Sequence, residues 1–300
     1  MPVLTVYRHG VTAGVSPMAK SHPPALRGDV NGWSAGAVRR NLKFLYSIDE
    51  RGLTGRGYAL TLTVRNCPPS HEDWRRVVKN YLQQISRTLR TVRAHWVTEW
   101  QRRGVPHLHA AVWLPDDATD PSQEMVRLWL HYAAAYSPGT KGQMVKPING
   151  PVGWFQYVSK HAARGLQHYQ RAAANMPTQW AKSGRMWGTG GDWPIREPVK
   201  LMLSNRGYHV LRRWARSWRV ADARARHADT RRKLNDEGRI DQPLLRAYLE
   251  TRRRIHSART MLRCPDPQLS RVRGISEWID ESQILRMISQ LHHYGYPVDS

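Results

Sequence analysis

Hydrophobic and polar positions alternate most regularly in Tyr58-Ala59-Leu60-Thr61-Leu62-Thr63-Val64, where large apolar residues at even numbers are separated by small or hydroxylated ones. A period of two predicts a strand with one buried face and one face offering hydroxyls. From His71 to about Arg90 the spacing lengthens, and Trp74, Val77, Val78, Tyr81, Leu82 and Ile85 fall on one broad helical stripe. Two further strands follow, roughly Ala94 to Gln101 and Val105 to Leu114, both rich in Val and Trp.

The remaining elements are read from caps and breakers. Ser34 is placed to cap a short helix running to Tyr46. Pro121 precedes a helix predicted from Ser122 to about Ala135, and another is predicted from Val152 to about Ala174. Residues 1–32 mix Gly, Pro, Ser and basic residues without periodicity and read as an irregular leader. The order strand, helix, strand, strand, helix, helix predicts the α+β class, a central antiparallel sheet flanked by helices, over residues 33–205. A helical C-terminal region, 206–300, follows.

Charge changes this picture. The 300 residues hold 47 Lys+Arg against 23 Asp+Glu, a formal +24, which points to a phosphate-rich partner. Residues 206–263 hold 17 Lys+Arg and 6 Asp+Glu, whereas 264–300 hold 3 and 5, a mildly acidic tail. Within the basic stretch Arg212, Arg213, Arg216 and Arg219 recur at helical spacing beside Trp214 and Trp218. That face suits DNA phosphates and unpaired bases; the same spacing also suits arginine stems covering a helix whose tryptophans enter the core. No apolar run reaches the length of a spanning helix and no secretory leader is visible, so a soluble, intracellular protein without a membrane partner is expected. The two cysteines, Cys67 and Cys264, lack CxxC spacing and suggest neither a disulfide framework nor a thiolate zinc site. No GxxxxGK[ST] loop is present, so any duplex unwinding must come from a partner.

The chemistry concentrates in Glu99-Trp100-Gln101-Arg102-Arg103-Gly104-Val105-Pro106-His107-Leu108-His109. His107 and His109 are two apart on a predicted strand and leave the same face. Arg102-Arg103-Gly104 fits a three-residue hairpin loop, with Gly104 at positive φ. If Gln101 then faces Val105, Glu99 stands opposite His107. Two imidazoles and a carboxylate suit Mg²⁺ or Mn²⁺ as well as zinc. His95 falls on the same face and reads as an ordinary sheet histidine. In Tyr157-Val158-Ser159-Lys160-His161, Tyr157 and Lys160 share a helix face. A phenol beside a cation suits attack on phosphorus, and it equally suits a core tyrosine beside Trp154 and Phe155. Tyr169, placed on the same predicted helix about 18 Å further along, is excluded as a paired nucleophile. Trp187 and Trp193 fit either a strand-binding groove or the core.

In order, YALTLTV, EWQRRGVPHLH and YVSK resemble the three motifs of the HUH endonuclease superfamily. With GRMWG at 184–188, they most resemble single-tyrosine replication initiators of filamentous phages and rolling-circle plasmids. The resemblance implies a nicking and joining enzyme of a bacterial cytoplasm. Glu99, His107 and His109 would bind the divalent cation, Tyr157 would link to the 5′ phosphate of nicked origin DNA, and Lys160 would assist. Arg102, Arg103, Arg164, Arg212, Arg213 and Arg216 are the candidate contacts to single-stranded or origin DNA. A host helicase and polymerase are the implied partners, since the chain lacks the helicase domain of some superfamily members. The paired tyrosines of another branch are also absent. A transposase or relaxase of the same chemistry is the nearest alternative. A non-catalytic nucleic-acid-binding protein with a structural metal is the alternative of a different class.

Overall fold

The computed structural model describes residues 1–15, 32–117, 120–162, 168–236, 242–263 and 274–299, with the side chains of 160–162 left out. In chain order the described elements begin with β1 (Pro2–Tyr7), β2 (Gly10–Val15), α1 (Ala35–Ser47), β3 (Arg56–Thr63), α2 (His71–Leu89), β4 (Arg93–Trp100) and β5 (Pro106–Leu114). They continue with α3 (Ser122–Tyr132), β6 (Met144–Pro147), α4 (Pro151–Ala162), β7 (Trp187–Gly191) and β8 (Val199–Leu203). The last are α5 (Asn205–Asp236), α6 (Gln242–Thr260), β9 (Ile275–Trp278), α7 (Glu281–His293) and β10 (Val298–Asp299). The protein is α+β, with two five-stranded antiparallel sheets. It divides into two compact units, one of Pro23–Arg196 and one of Met1–His22 with Glu197–Ser300. Among the described residues no helix is long and apolar enough to cross a membrane.

The unit of Pro23–Arg196 is built on the sheet β6-β3-β5-β4-β7. The alternation of the sequence sorts its two faces. Tyr58, Leu60 and Leu62 on β3 lie beside Val112, Ala110 and Leu108 on β5, and all six are buried in the main core. Helices α2 and α3 supply the rest of that core: Trp74, Val77, Val78, Tyr81 and Ile85 from α2, with Met125, Leu128 and Trp129 from α3. Burying each such side chain is worth about 1.5–3 kcal/mol. Helix α2 starts where it does because Ser70 Oγ accepts from the Asp73 backbone N–H and bonds the Asp73 carboxylate, while Glu72 and Asp73 complement the helix dipole.

The opposite face carries His107, His109, Ala111 and Trp113 of β5 and their β4 partners Glu99, Val97, His95 and Arg93. Helices α1 and α4 cover it. Phe155 of α4 stacks on Trp113 at 5.8 Å, and Asn41 of α1 meets His95 at 2.8 Å. Trp193 is buried among Trp113, Phe44 and Phe155, and Trp187 packs against Phe44 and His95, so both close the core.

The other unit overturns the expectation of an irregular leader over 1–32 and adds the strands β9 and β10 to the helical region expected over 206–300. Residues 2–7 and 10–15 are strands, and the sheet β10-β8-β1-β2-β9 joins both chain ends. Residues 16–31 of that expected leader lie outside the described residues. Strand β8, placed by sequence in the first domain, belongs here. The segment read as an acidic tail contributes Ile275, Ile279, Ile284, Met287 and Leu291 to a second core with Leu4, Val11, Leu203, Tyr208 and Leu211. Glycine in β2 and the short β8 and β9 hide the alternation that normally marks strands. The helical reading of 206–263 agrees with α5 and α6.

Candidate metal and nucleophile site

The β4–β5 hairpin is the foundation of the site. Gln101 N donates to Val105 O at 2.8 Å, Gly104 N to Gln101 O at 2.9 Å, and Gly104 adopts φ 73°. This turn sets Trp100 against Pro106 and Glu99 against His107, the register read from the sequence. Glu99 is fully buried, His107 nearly so, and His109 partly exposed.

The ligand atoms of Glu99, His107 and His109 lie within 4.8 Å of one another. His107 Nε2 and His109 Nε2 are 2.8 Å apart, and Glu99 Oε2 lies 3.7 Å from His109 Nε2. Two nitrogens bound to one ion at about 2.1 Å would stand roughly 3 Å apart, so the donors need to spread by only a few tenths of an ångström. Thr61 Oγ1 is 3.0 Å from His109 Nδ1, on the hydroxyl face of β3. With Nδ1–H donating to Thr61, the Nε2 lone pair is turned toward the cluster. The buried mixed nitrogen and oxygen set therefore fits a divalent cation.

Arg171 is the residue that sequence reasoning missed. The described part of α4 runs to Ala162, and the expected long helix to about Ala174 is not found at its far end: residues 169–171 form a turn, and Ala173–Asn175 a single 3₁₀ turn. Gln170 O accepts from Trp100 N at 2.9 Å, which lays this segment along β4. Arg171 then places Nε at 3.1 Å and Nη2 at 2.9 Å from Glu99 Oε1, with its guanidinium 4.2 Å from the Trp33 ring. Ending the helix also removes the argument that set Tyr169 apart from Tyr157. Tyr169 instead lies beside the hairpin loop, with the Arg102 guanidinium 5.2 Å from its ring. No spacing signal marks Arg171, because its role depends on the helix having stopped.

Tyr157 is 49 % exposed on α4, its ring 5.7 Å from Trp154, whereas Phe155, Val158 and Ser159 face inward. The core placement open to Tyr157 in the sequence is thus taken by its neighbours. The helix covers the histidine face of the sheet through the Phe155–Trp113 stack. Lys160 follows one turn later on α4, and Arg164 lies outside the described residues. Arg103 is exposed but engaged, donating to Gln101 Oε1 and to the carbonyls of Val64 and Arg65.

In the other unit Arg213 and Arg216 are exposed on α5. Arg212 departs from the expectation of a DNA contact. It is 8 % exposed, its Nη2 donates to Leu262 O at 3.1 Å, and its guanidinium lies over Tyr208. Trp214 packs against the second core and Tyr294, while Trp218 is 40 % exposed. Burial without a charged partner pushes the His95 imidazole down to about 3. His95 is therefore neutral and donates Nε2–H to Asn41 Oδ1, the ordinary sheet histidine of the sequence reading.

A family model described as replication-associated protein ORF2/G2P matches residues 57–162, the span from β3 through α4. The whole chain is 45 % identical to the whole of a putative replication protein of Xylella fastidiosa strain 9a5c. It is 43 % identical, over 99 % of each chain, to the replication-associated protein G2P of Pseudomonas phage Pf3. The chain belongs to the replication-associated protein ORF2/G2P family. A putative replication protein of Xylella fastidiosa strain Temecula1 is 46 % identical over 93 % of this chain and 99 % of its own. No solved structure matches. In this member of the ORF2/G2P family, the matched span contains Glu99, His107, His109 and Tyr157 and stops before Arg171.

Proposed function

We propose that this chain initiates replication by nicking one strand of origin DNA through a tyrosine transesterification assisted by a divalent cation, and later rejoins that strand. One observation carries the reading: Glu99, His107 and His109 converge on the sheet face covered by the helix of Tyr157. Glu99, His107 and His109 would hold Mg²⁺ or Mn²⁺. When bound there, the cation offsets negative charge gathering on the phosphate oxygens.

The Tyr157 oxygen attacks phosphorus and gives up its proton, the bond from phosphorus to the 3′ oxygen breaks, and that oxygen takes a proton to become a free 3′ hydroxyl. Lys160 adds positive charge one turn from the phenol. The phosphodiester energy is held in the 5′ phosphotyrosine bond, so rejoining by attack of a 3′ hydroxyl needs no nucleotide. The 3′ hydroxyl primes a host polymerase while a host helicase opens the duplex in the bacterial cytoplasm. Arg213 and Arg216 on α5, with Arg102 at the hairpin, bind the phosphate backbone. Family membership supports the replication role.

The test is incubation of the full chain with single-stranded origin DNA and Mn²⁺ or Mg²⁺, followed by a denaturing gel. A metal-dependent covalent protein–DNA adduct is expected. Absence of an adduct with every metal and origin strand tried would overturn the enzymatic reading in favour of DNA binding alone.

A further inference from the structure

We propose that Arg171 is the positioning residue of the metal site: it fixes Glu99 Oε1 so that Oε2 is presented to the cation shared with His107 and His109. This rests on the metal-binding reading of the three residues.

The geometry is asymmetric in an informative way. A guanidinium paired with a carboxylate for charge compensation alone presents its fork so that each oxygen takes one N–H. Here Nε and Nη2 both go to Oε1, at 3.1 and 2.9 Å, while Oε2 lies 3.7 Å from His109 Nε2. The carboxylate is divided between two tasks. Glu99 is 0 % and Arg171 1 % exposed, and an ion pair so far from water contributes little net stability, because desolvation offsets the attraction. A fixed direction for Oε2 is what the burial does supply.

Arg171 is itself held from several sides. Its guanidinium lies 4.2 Å from the Trp33 ring, and the Trp33 indole N–H donates to Thr98 O at 2.9 Å, one residue before Glu99. One residue after Glu99, Trp100 N donates to Gln170 O. The strand on both sides of Glu99 is thus tied to the two groups that flank Arg171. A lysine, with one compact ammonium, would neutralise Glu99 without reproducing a planar two-point hold on one oxygen. Outer partners of metal ligands typically change affinity 10–100-fold when removed.

Mn²⁺ binding to the full chain, read from loss of the free-ion electron paramagnetic resonance signal, gives opposite signs for the two roles. If Arg171 only neutralises Glu99, Arg171→Met removes a competing cation and Mn²⁺ binds more tightly. If Arg171 positions the carboxylate, Mn²⁺ binds about 10–100-fold more weakly in Arg171→Met. Arg171→Lys, which keeps the charge, then binds about tenfold more weakly, with an altered bound-Mn²⁺ line shape, and carries the test should Arg171→Met fail to fold. In a Glu99→Gln background, replacing Arg171 by Lys has no further effect. Unchanged or tighter binding in a folded Arg171 variant overturns the positioning role and leaves the metal site standing. Absence of Mn²⁺ binding by the unaltered chain overturns both.

Discussion

Glu99 faces His107 directly across the β4–β5 hairpin, and Gly104 at φ 73° makes the turn that puts them there. Among the described residues a methyl group added at Gly104 would meet only Asn175 O at an ordinary 3.6 Å, so the backbone angle rather than crowding demands glycine. Gly104→Val is expected to cost about 1–2 kcal/mol, about 2–8 °C in Tm, and to weaken Mn²⁺ binding by distorting the register. Gly104→Asn, which tolerates left-handed backbone, loses less. Thermal melts and Mn²⁺ titrations of both variants check this; equal behaviour would show that the loop does not set the register.

Glu99 and His107 should differ in stability while agreeing in function. Glu99→Gln keeps the shape but leaves the Arg171 charge buried without its counter-charge, at a cost of about 3–5 kcal/mol. His107→Gln removes one ring from the cluster and should cost about 1 kcal/mol. Both should lose most Mn²⁺-dependent cleavage. Urea unfolding with and without Mn²⁺ separates the two effects, and a Glu99→Gln variant as stable as the unaltered chain would contradict the buried ion pair.

Two tyrosines lie in segments that the sequence joined into one helix and the structure separates. Tyr157→Phe should lower adduct formation by about 10³-fold or more, the scale of removing a nucleophile. Tyr169→Phe retains the ring beside Arg102 and should keep the adduct. An adduct present in Tyr157→Phe and lost in Tyr169→Phe would transfer the nucleophile to Tyr169.

Acid should loosen the unit built on β3–β7 through His95. Its folded pKa lies near 3 and its unfolded one near 6.5, so the unfolded chain holds the extra proton between those values. The contribution of neutral His95 is complete above about pH 6.5 and declines as pH falls toward 3, by up to about 1.4 kcal/mol per pH unit. Urea unfolding between pH 7 and 4.5 should show a shallower acid loss in His95→Gln than in the unaltered chain. Parallel slopes would exclude His95 as the titrating group.

Arg213 and Arg216 should act on DNA, and Arg212 on folding. Arg213→Gln and Arg216→Gln should each lower the salt slope of DNA binding by about 1, with melts unchanged. Arg212→Gln should lower Tm, because it loses the bond to Leu262 O, and leave the slope in place. Binding isotherms at several salt concentrations decide, and a slope change in Arg212→Gln alone would reverse the assignment.

The hairpin site was legible because its chemistry is local. Alternation fixes which face His107 and His109 share, and one loop length fixes Glu99 against His107. The sheet order around it was partly legible, since β3, β4 and β5 are long and apolar. Arg171 was not, because its contact with Glu99 spans 72 residues and depends on residues 169–171 forming a turn where the spacing predicts helix. Arg212 shows the same gap on α5: helical spacing counts charges on a face but does not say which guanidinium the fold has taken for Leu262. Strands β1, β8 and β9 were illegible because the pairings β1–β8 and β2–β9 that complete their sheet cross the whole Pro23–Arg196 unit.

That shared sheet has a consequence in time. Strands β1 and β2 leave the ribosome first, yet their partners β8 and β9 follow only after the whole Pro23–Arg196 unit has been made. At synthesis rates of up to about 20 residues per second, the hairpin waits on the order of ten seconds or more with both edges unpaired. The unit that carries Glu99, His107 and His109 is complete before the sheet that brackets it in sequence can close. Early release of the nascent chain would therefore free a folded site while leaving two sticky strands at its front, a hazard that rises as translation slows.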